Sequence, residues 1–295
     1  MSADTLDLNR AELRRDERRE QARLTLLAVP ALAVILVVVV APLFWMLWIS
    51  FRGPGGAFSF GNYRLLLEEG TNIAIIGTTL KIAFLVTLFA TIIGYPLAYL
   101  MTQLSPGWTR AIVIAIMMPY MTSVLVLTYA WIMLLGRRGV VNNVLVGIGI
   151  VDDPLPLLFN TTANVIGMAH FMLPLFVLPL YASMRSIDRT CMLAAASLGA
   201  SPTVAFWKVY FPLSLPGAVA GAFLIFVISL AFFIIPAALG GGKVMMIAHQ
   251  IATAISTYDG FGIAAALGMM LLVVVAAILF VASRILRLDR RRAGP

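Results

Sequence analysis

Ser186-Ile187-Asp188-Arg189-Thr190-Cys191-Met192-Leu193-Ala194-Ala195-Ala196-Ser197-Leu198-Gly199-Ala200-Ser201, running on through Phe206-Trp207-Lys208-Val209 to Pro212-Leu213-Ser214-Leu215-Pro216-Gly217, is the stretch whose reading decides the fold. It lies between two long apolar runs. It reads as a short helical segment, a glycine, and an amphipathic approach to the next run. A chain that only turns around at a membrane surface needs no such length. An ordered loop of about 30 residues between spans, on the side rich in Arg and Lys, points to a docking surface for a soluble partner.

The rest of the chain makes this a membrane loop. Apolar residues are 61% of the 295 and charged residues 12%, with a mean hydropathy of +0.99, so this is an integral membrane protein rather than a soluble globule. Six runs without charge reach the roughly 20 residues that a helix needs to cross a bilayer. They are Leu24–Ile49, Ile82–Met101, Ala111–Leu135, Thr161–Met184, Val209–Leu239 and Gly260–Ser283. The first is too long for a signal-peptide core and no small-residue cleavage site follows it, so it stays as a span. The expectation is an all-α polytopic protein of about six transmembrane helices in one domain. Its parts are a basic tail over 1–23, a transmembrane domain over 24–288 with a cytoplasmic loop at 185–215, and a short tail over 289–295.

Lys and Arg set the orientation. With both termini inside, the N-terminal tail holds Arg10, Arg14, Arg15, Arg18, Arg19 and Arg23, and the C-terminal end Arg284, Arg287, Arg290, Arg291 and Arg292. Arg110, Arg185, Arg189 and Lys208 fall on the same side; Arg52, Arg64, Arg137, Arg138 and Lys243 fall outside. That three-to-one bias gives N-in/C-in and puts the loop in the cytoplasm. The pI near 10.1 is thereby explained by topology and anionic headgroups, and nucleic acid is not implied. In the tail, Asn9–Arg23 mixes Arg with Glu12, Asp16, Glu17 and Glu20 at helical spacing and reads as a solvated or surface-lying helix. Cys191 is the only cysteine, so no intrachain disulfide forms.

Three outer segments stand out. Arg52–Asn72 carries Gly53-Pro54-Gly55-Gly56 and Phe58-Ser59-Phe60-Gly61-Asn62-Tyr63. Gly136–Asn160 has the apolar content of an interfacial helix, with turn chemistry at Asp152 and Asp153 before Pro154. Ala237–Gly260 holds Gly240-Gly241-Gly242, which ends the fifth helix.

The missing chemistry narrows the function. No G-x-x-x-x-G-K-[ST] is present, so the chain has no P-loop for ATP. His170 and His249 lie far apart in sequence and at different levels, which disfavours a metal cluster. No Asp or Glu lies in any of the six runs, although proton- and ion-coupled carriers keep such residues near the midplane. Energy should therefore come from a partner. Within the runs, the candidate pathway residues are Asn164 and His170, then Tyr120, Thr122 and Ser123 beside Pro119, and Phe232 and Phe233 beside Pro236. Each has a bland alternative. His170 fits a buried histidine bonded to a neighbouring carbonyl, the Pro119 group fits local repair of a carbonyl freed by proline, and the two phenylalanines fit packing or an apolar gate. Lys81 snorkels to the outer headgroups.

Ala194-Ala195-Ala196-Ser197-Leu198-Gly199-Ala200-Ser201 with Leu213-Ser214-Leu215-Pro216-Gly217 resembles the EAA loop of bacterial ABC importer permeases. Phe58-Ser59-Phe60-Gly61-Asn62-Tyr63 is similar to the segment that follows the first span in these permeases. Gly94-Tyr95-Pro96-Leu97-Ala98-Tyr99, and Phe232-Phe233-Ile234-Ile235-Pro236-Ala237-Ala238-Leu239-Gly240-Gly241 with Met246-Ile247-Ala248, resemble the spermidine/putrescine subfamily. The resemblance covers most of Leu24–Leu288 and implies a type I importer permease fold in the bacterial inner membrane. It implies coupling to an ATPase through 186–217, with Leu193, Ala194, Ala195, Leu198, Gly199, Ala200 and Ser201 at the contact. The family's Glu is absent: its position is Leu193, and Met192 before it is not acidic either, so docking has to rest on shape and apolar contact. Implied partners are ABC ATPase subunits carrying the ATP and Mg, a second permease, a periplasmic substrate-binding protein and membrane lipid. This chain itself would hold no cofactor and hydrolyse nothing. The implied cargo is a polyamine or a related small solute, with an opine, a phosphonate or ferric ion as alternatives. From other classes, an ATP-independent carrier or channel, or a membrane scaffold, remains.

Overall fold

The structure, a computed structural model, describes residues 20, 26, 28–30, 32–53, 56–68, 70–257 and 261–292. Apart from Glu20, the tail over 1–23 with its expected helix at Asn9–Arg23 lies outside them, as do Leu24, Pro54, Gly55 and 293–295. The described chain is helical. In order these are α1 (Ala28–Ser50), α2 (Gly61–Glu68), α3 (Gly70–Gln103), α4 (Pro106–Met121), α5 (Val124–Leu135), α6 (Val140–Gly147), α7 (Thr161–Arg185), α8 (Arg189–Ser197), α9 (Pro202–Leu230), α10 (Ile234–Leu239), α11 (Ile247–Thr257) and α12 (Gly262–Arg292). Among the described residues six stretches are long and apolar enough to cross a membrane: α1, α3, the run Val124–Gly147 that joins α5 and α6, α7, α9, and Gly262–Val281 of α12.

At the centre α3, α7 and α9 pack on one another. Helices in lipid gain little from apolar burial against each other, so close packing depends on small residues that let backbones approach. Along α3 the buried face is Thr79, Ala83, Val86, Ala90, Gly94, Ala98 and Met101, a three-and-four spacing dominated by small side chains. Phe176 of α7 fills the space this creates and is wholly buried. A Cβ on Gly94 would sit 2.5 Å from its Cδ1, and one on Gly221 of α9 would sit 3.1 Å from its Cδ2. Gly217 faces Ser183 of α7 with no room for a side chain.

A second cluster joins α1, α2, α11 and α12 around Leu66, Ala254, Ala264, Ala266 and Leu267. Asn62, in the Phe58–Tyr63 segment, ties it together. Its amide donates to Ser50 O and Arg52 O, both at 2.9 Å, capping the carbonyl end of α1, while Tyr63 Oη donates to Ser50 Oγ at 2.8 Å. We expect Asn62→Ala to destabilise the permease by about 1–3 kcal/mol, because the buried Ser50 O and the part-buried Arg52 O lose their donor. Asn62→Asp should do no better, since a carboxylate has no N–H to give; thermal unfolding in detergent reads both. The two clusters meet where Ile247 N–H donates to Thr79 Oγ1 at 2.9 Å.

Several boundaries differ from the sequence reading, each for a local reason. The second span begins at Gly70 rather than Ile82, so Lys81 lies within α3, exposed. The third span, expected to be continuous over Ala111–Leu135, is two helices parted by Thr122 and Ser123, both in extended backbone, and the stretch long and apolar enough to cross runs instead over Val124–Gly147. Pro119 in the last turn of α4 leaves Ala115 O without a helical donor and weakens the helix there. The fifth span starts seven residues early at Pro202 and stops at Leu230, not Leu239. Ala231–Phe233 break it before α10. Residues 202–217 therefore belong to a spanning helix, and the loop proper ends near Ser201. The outer segment Ala237–Gly260 contains a helix, α11, that was not foreseen. Within Gly136–Asn160 a helix does form, α6, locked by Asn142 to Gly136 O and to both backbone groups of Leu155.

Candidate functional site

The inner face is built around α8. Asp188 caps its N-terminus, accepting the Thr190 N–H at 2.9 Å. That hydrogen bond holds the Asp188 carboxyl below its usual range, so the cap is charged at neutral pH. At the other end Gly199 adopts φ +82. Gly199 N–H reaches Ala196 O at 2.9 Å and Ala200 N–H reaches Ala195 O at 3.0 Å, the paired bonds of a Schellman turn. Only backbone conformation asks for glycine there, because nothing lies within 4 Å of a Cβ on Gly199. Of the expected coupling residues, Leu193, Ala194, Leu198, Gly199 and Ser201 are exposed, Ala200 is half-buried, and Ala195 is buried and turned inward. Leu198 is 89% exposed and Leu193 66%.

This face is wired to the core through aromatic rings. Ser201 caps α9, whose first turns pass through a π-turn at Phe206–Tyr210 closed by Phe211 N–H on Phe206 O. Pro212 explains it: a proline has no N–H for Lys208 O and its ring crowds that carbonyl. Tyr99 packs edge-on to Phe206 and Tyr210 at 5.0 and 5.1 Å, and Tyr95 Oη bonds Ser214 Oγ at 2.6 Å. The Gly94–Tyr99 motif thus does three jobs: Gly94 admits Phe176, Tyr95 holds α9 by a hydrogen bond, and Tyr99 holds its π-turn.

The expected pathway residues do not form one group. Tyr120 and Phe232 come together over Phe171 of α7, with ring centroids 5.1 and 5.3 Å from it. Sequence reasoning missed Phe171, because an unremarkable Phe in an apolar run carries no signal. Thr122 and Ser123 are exposed at the α4–α5 break, and Thr122 Oγ1 donates back to Met118 O at 2.8 Å. His170 does not bond a carbonyl; its Nδ1 accepts from Trp131 Nε1 at 3.3 Å, linking α7 to α5. Phe233 points elsewhere, stacked on His249 at 5.7 Å. Asn164 is fully buried among α7 core residues, and no protein group bonds either amide atom. Among the described residues no group of His, Cys, Asp and Glu has the grouping to hold a metal.

Residues 90–293 match the family described as binding-protein-dependent transport system inner membrane component. The spermidine/putrescine transport system permease protein PotB of Haemophilus influenzae is 29% identical over 86% of this chain and 91% of its own length. Its Escherichia coli counterpart is 29% identical over 80% and 85%. The inner membrane ABC transporter permease protein YdcU of E. coli is 32% identical over 62% of each chain. In fold, the chain superposes with TM-score 0.75 on a chain of a bacterial alginate ABC transporter in complex with alginate pentasaccharide-bound periplasmic protein, at 19% identity, covering 95% and 98% of the two.

Proposed function

The chain belongs to the binding-protein-dependent transport system inner membrane component family, as the multi-pass permease of an ABC importer, and on that premise we propose that its cargo is a polyamine of the spermidine/putrescine class. The observation that carries the cargo is the 29% identity to a spermidine/putrescine permease over 86% of the chain. The remaining assignments follow from the same reading. The protein sits in a bacterial inner membrane and pairs with a second permease. ATPase subunits, which bind the ATP and Mg and perform the hydrolysis, dock on α8 through Leu193, Ala194, Leu198 and the Gly199 turn. A periplasmic binding protein seats on the outer segments. Closure of the ATPase dimer pushes α8, and the Tyr95, Tyr99 and π-turn contacts pass the push to α9 and α3, so that the pathway opens alternately to either side.

The test reconstitutes the permease in lipid with its cognate subunits and follows ATP hydrolysis when binding protein and polyamine are added. Hydrolysis that rises with putrescine or spermidine supports the reading. A rise with an opine, a phosphonate or ferric ion only would keep the importer and remove the polyamine. Solute uptake by this chain alone, without ATP, would instead favour a secondary carrier.

A further inference from the structure

Two breaks between helices meet beside the same ring. Tyr120 lies two residues before the Thr122–Ser123 break, and Phe232 lies within the Ala231–Phe233 break. Both pack on Phe171, which stands about 15 Å along an α7 of about 37 Å, near mid-membrane. Opened backbone at that depth survives only where protein covers it or where it lines water, since lipid offers no hydrogen bonds. Here Met121, Thr122, Ser123 and Ala231 are all exposed on the surface of this chain. That face therefore looks into the pathway or onto the second permease, and not into lipid. Discontinuous helices facing one another at the midplane are the usual makings of a solute site, because their free carbonyls act as ligands.

The sign of the solute follows from what surrounds the breaks. α4 and α9 both end here, and the last carbonyls of a helix have no helical N–H to meet. The uncapped start of α5 sits at the same break and on its own favours an anion. The half-buried rings of Tyr120 and Phe232 decide between the two, since their negative faces attract cations and repel anions. No charged side chain of either sign occurs in 111–135, 161–184 or 209–239. A cation thus meets acceptors and π-faces without an ion pair that would hold it fast.

We propose that the α4–α5 break, with the faces of Tyr120 and Phe232 propped on Phe171, is a transient binding station for an alkylammonium group on its way through the permease. The station rests on the polyamine reading above. It also says how a chain without acidic residues in its spans passes a polycation: by carbonyl oxygens and aromatic faces.

The measurement is the number of polyamine molecules moved per ATP hydrolysed, in vesicles holding the complete importer and binding protein. Tyr120→Leu should lower that ratio about tenfold, the loss of one desolvated cation–π contact, and Tyr120→Phe should keep it. Pentafluorophenylalanine at position 120 has the shape of phenylalanine with the ring quadrupole reversed, so it should fall with Leu even though packing is preserved. Equal ratios for phenylalanine and its pentafluoro form would overturn the station, as would a Tyr120→Leu ratio equal to the parent's, which would make the face a contact with the second permease only. If the parent itself moves another solute and no polyamine, the cargo reading has failed first and the station falls with it.

Discussion

Gly94→Val is expected to leave almost no folded permease, the largest single effect this fold offers. The Cβ alone would lie 2.5 Å from Phe176 Cδ1 and 3.1 Å from Val177 Cγ2, and valine adds two methyl groups to it. Neither helix has slack to yield, because Phe176 is already held from the other side by Gly221. Overpacking of this kind costs about 1–3 kcal/mol where side chains can shift, and more where backbones must part. The complementary truncation, Phe176→Ala, should destabilise by about 3–5 kcal/mol, the usual range for emptying a large aromatic site. Size-exclusion chromatography after heating in detergent would measure both. The pairing also makes a sharper claim: Phe176→Leu should partly restore Gly94→Ala, since neighbouring sites couple. If Gly94→Val is as stable as the parent, Phe176 does not sit where the structure puts it.

Leu198→Asp is the second. Leu198 is 89% exposed, the most exposed large apolar side chain among the described residues. It stands at the inner end of the molecule rather than along the lipid face. A leucine held out on the Gly199 turn gains nothing unless a partner covers it, and burying a leucine side chain fully is worth about 1.5–3 kcal/mol. On the proposed docking role, a carboxylate there should cut polyamine-stimulated ATP hydrolysis by more than about tenfold. The permease should still insert and run as a single species, because the side chain touches nothing in the chain itself. Leu193→Glu, which returns the residue the family carries, is the informative companion: recovery of activity in the Leu198→Asp background would show that a charged contact can replace an apolar one. Gly199 should behave differently from both. With no atom within 4 Å of a Cβ, the only cost of substitution is the left-handed backbone, about 1–2 kcal/mol for alanine and less for asparagine. Undiminished stimulation by Leu198→Asp would end the assignment of α8 as the docking element.

The helix and turn of α8 were legible in the sequence because their signals are local. A short helical segment followed by a glycine states a backbone fact within a few residues, whereas the start of α9 at Pro202 was missed. The pathway was less legible. Tyr120 and Phe232 stand out as polar-edged or aromatic residues near prolines, but their relation runs through Phe171 from a third helix. The helix breaks were hidden for a related reason. Thr122-Ser123 and Ala231–Phe233 lie inside apolar stretches, and hydropathy counts composition without asking whether the backbone stays helical.

What the sequence determined by itself is therefore the number of crossings and the place of the loop that carries α8, since each depends on apolar run length or on short-range turn signals. Only the tertiary structure decided where those crossings are interrupted and which side chains meet at the interruptions. It also decided why Gly94, Gly217 and Gly221 are glycines. The physical reason is that helices in lipid associate through shape rather than through a hydrophobic stripe, so the packing face of α3 is marked by small residues that hydropathy does not register, and their partners lie on other helices.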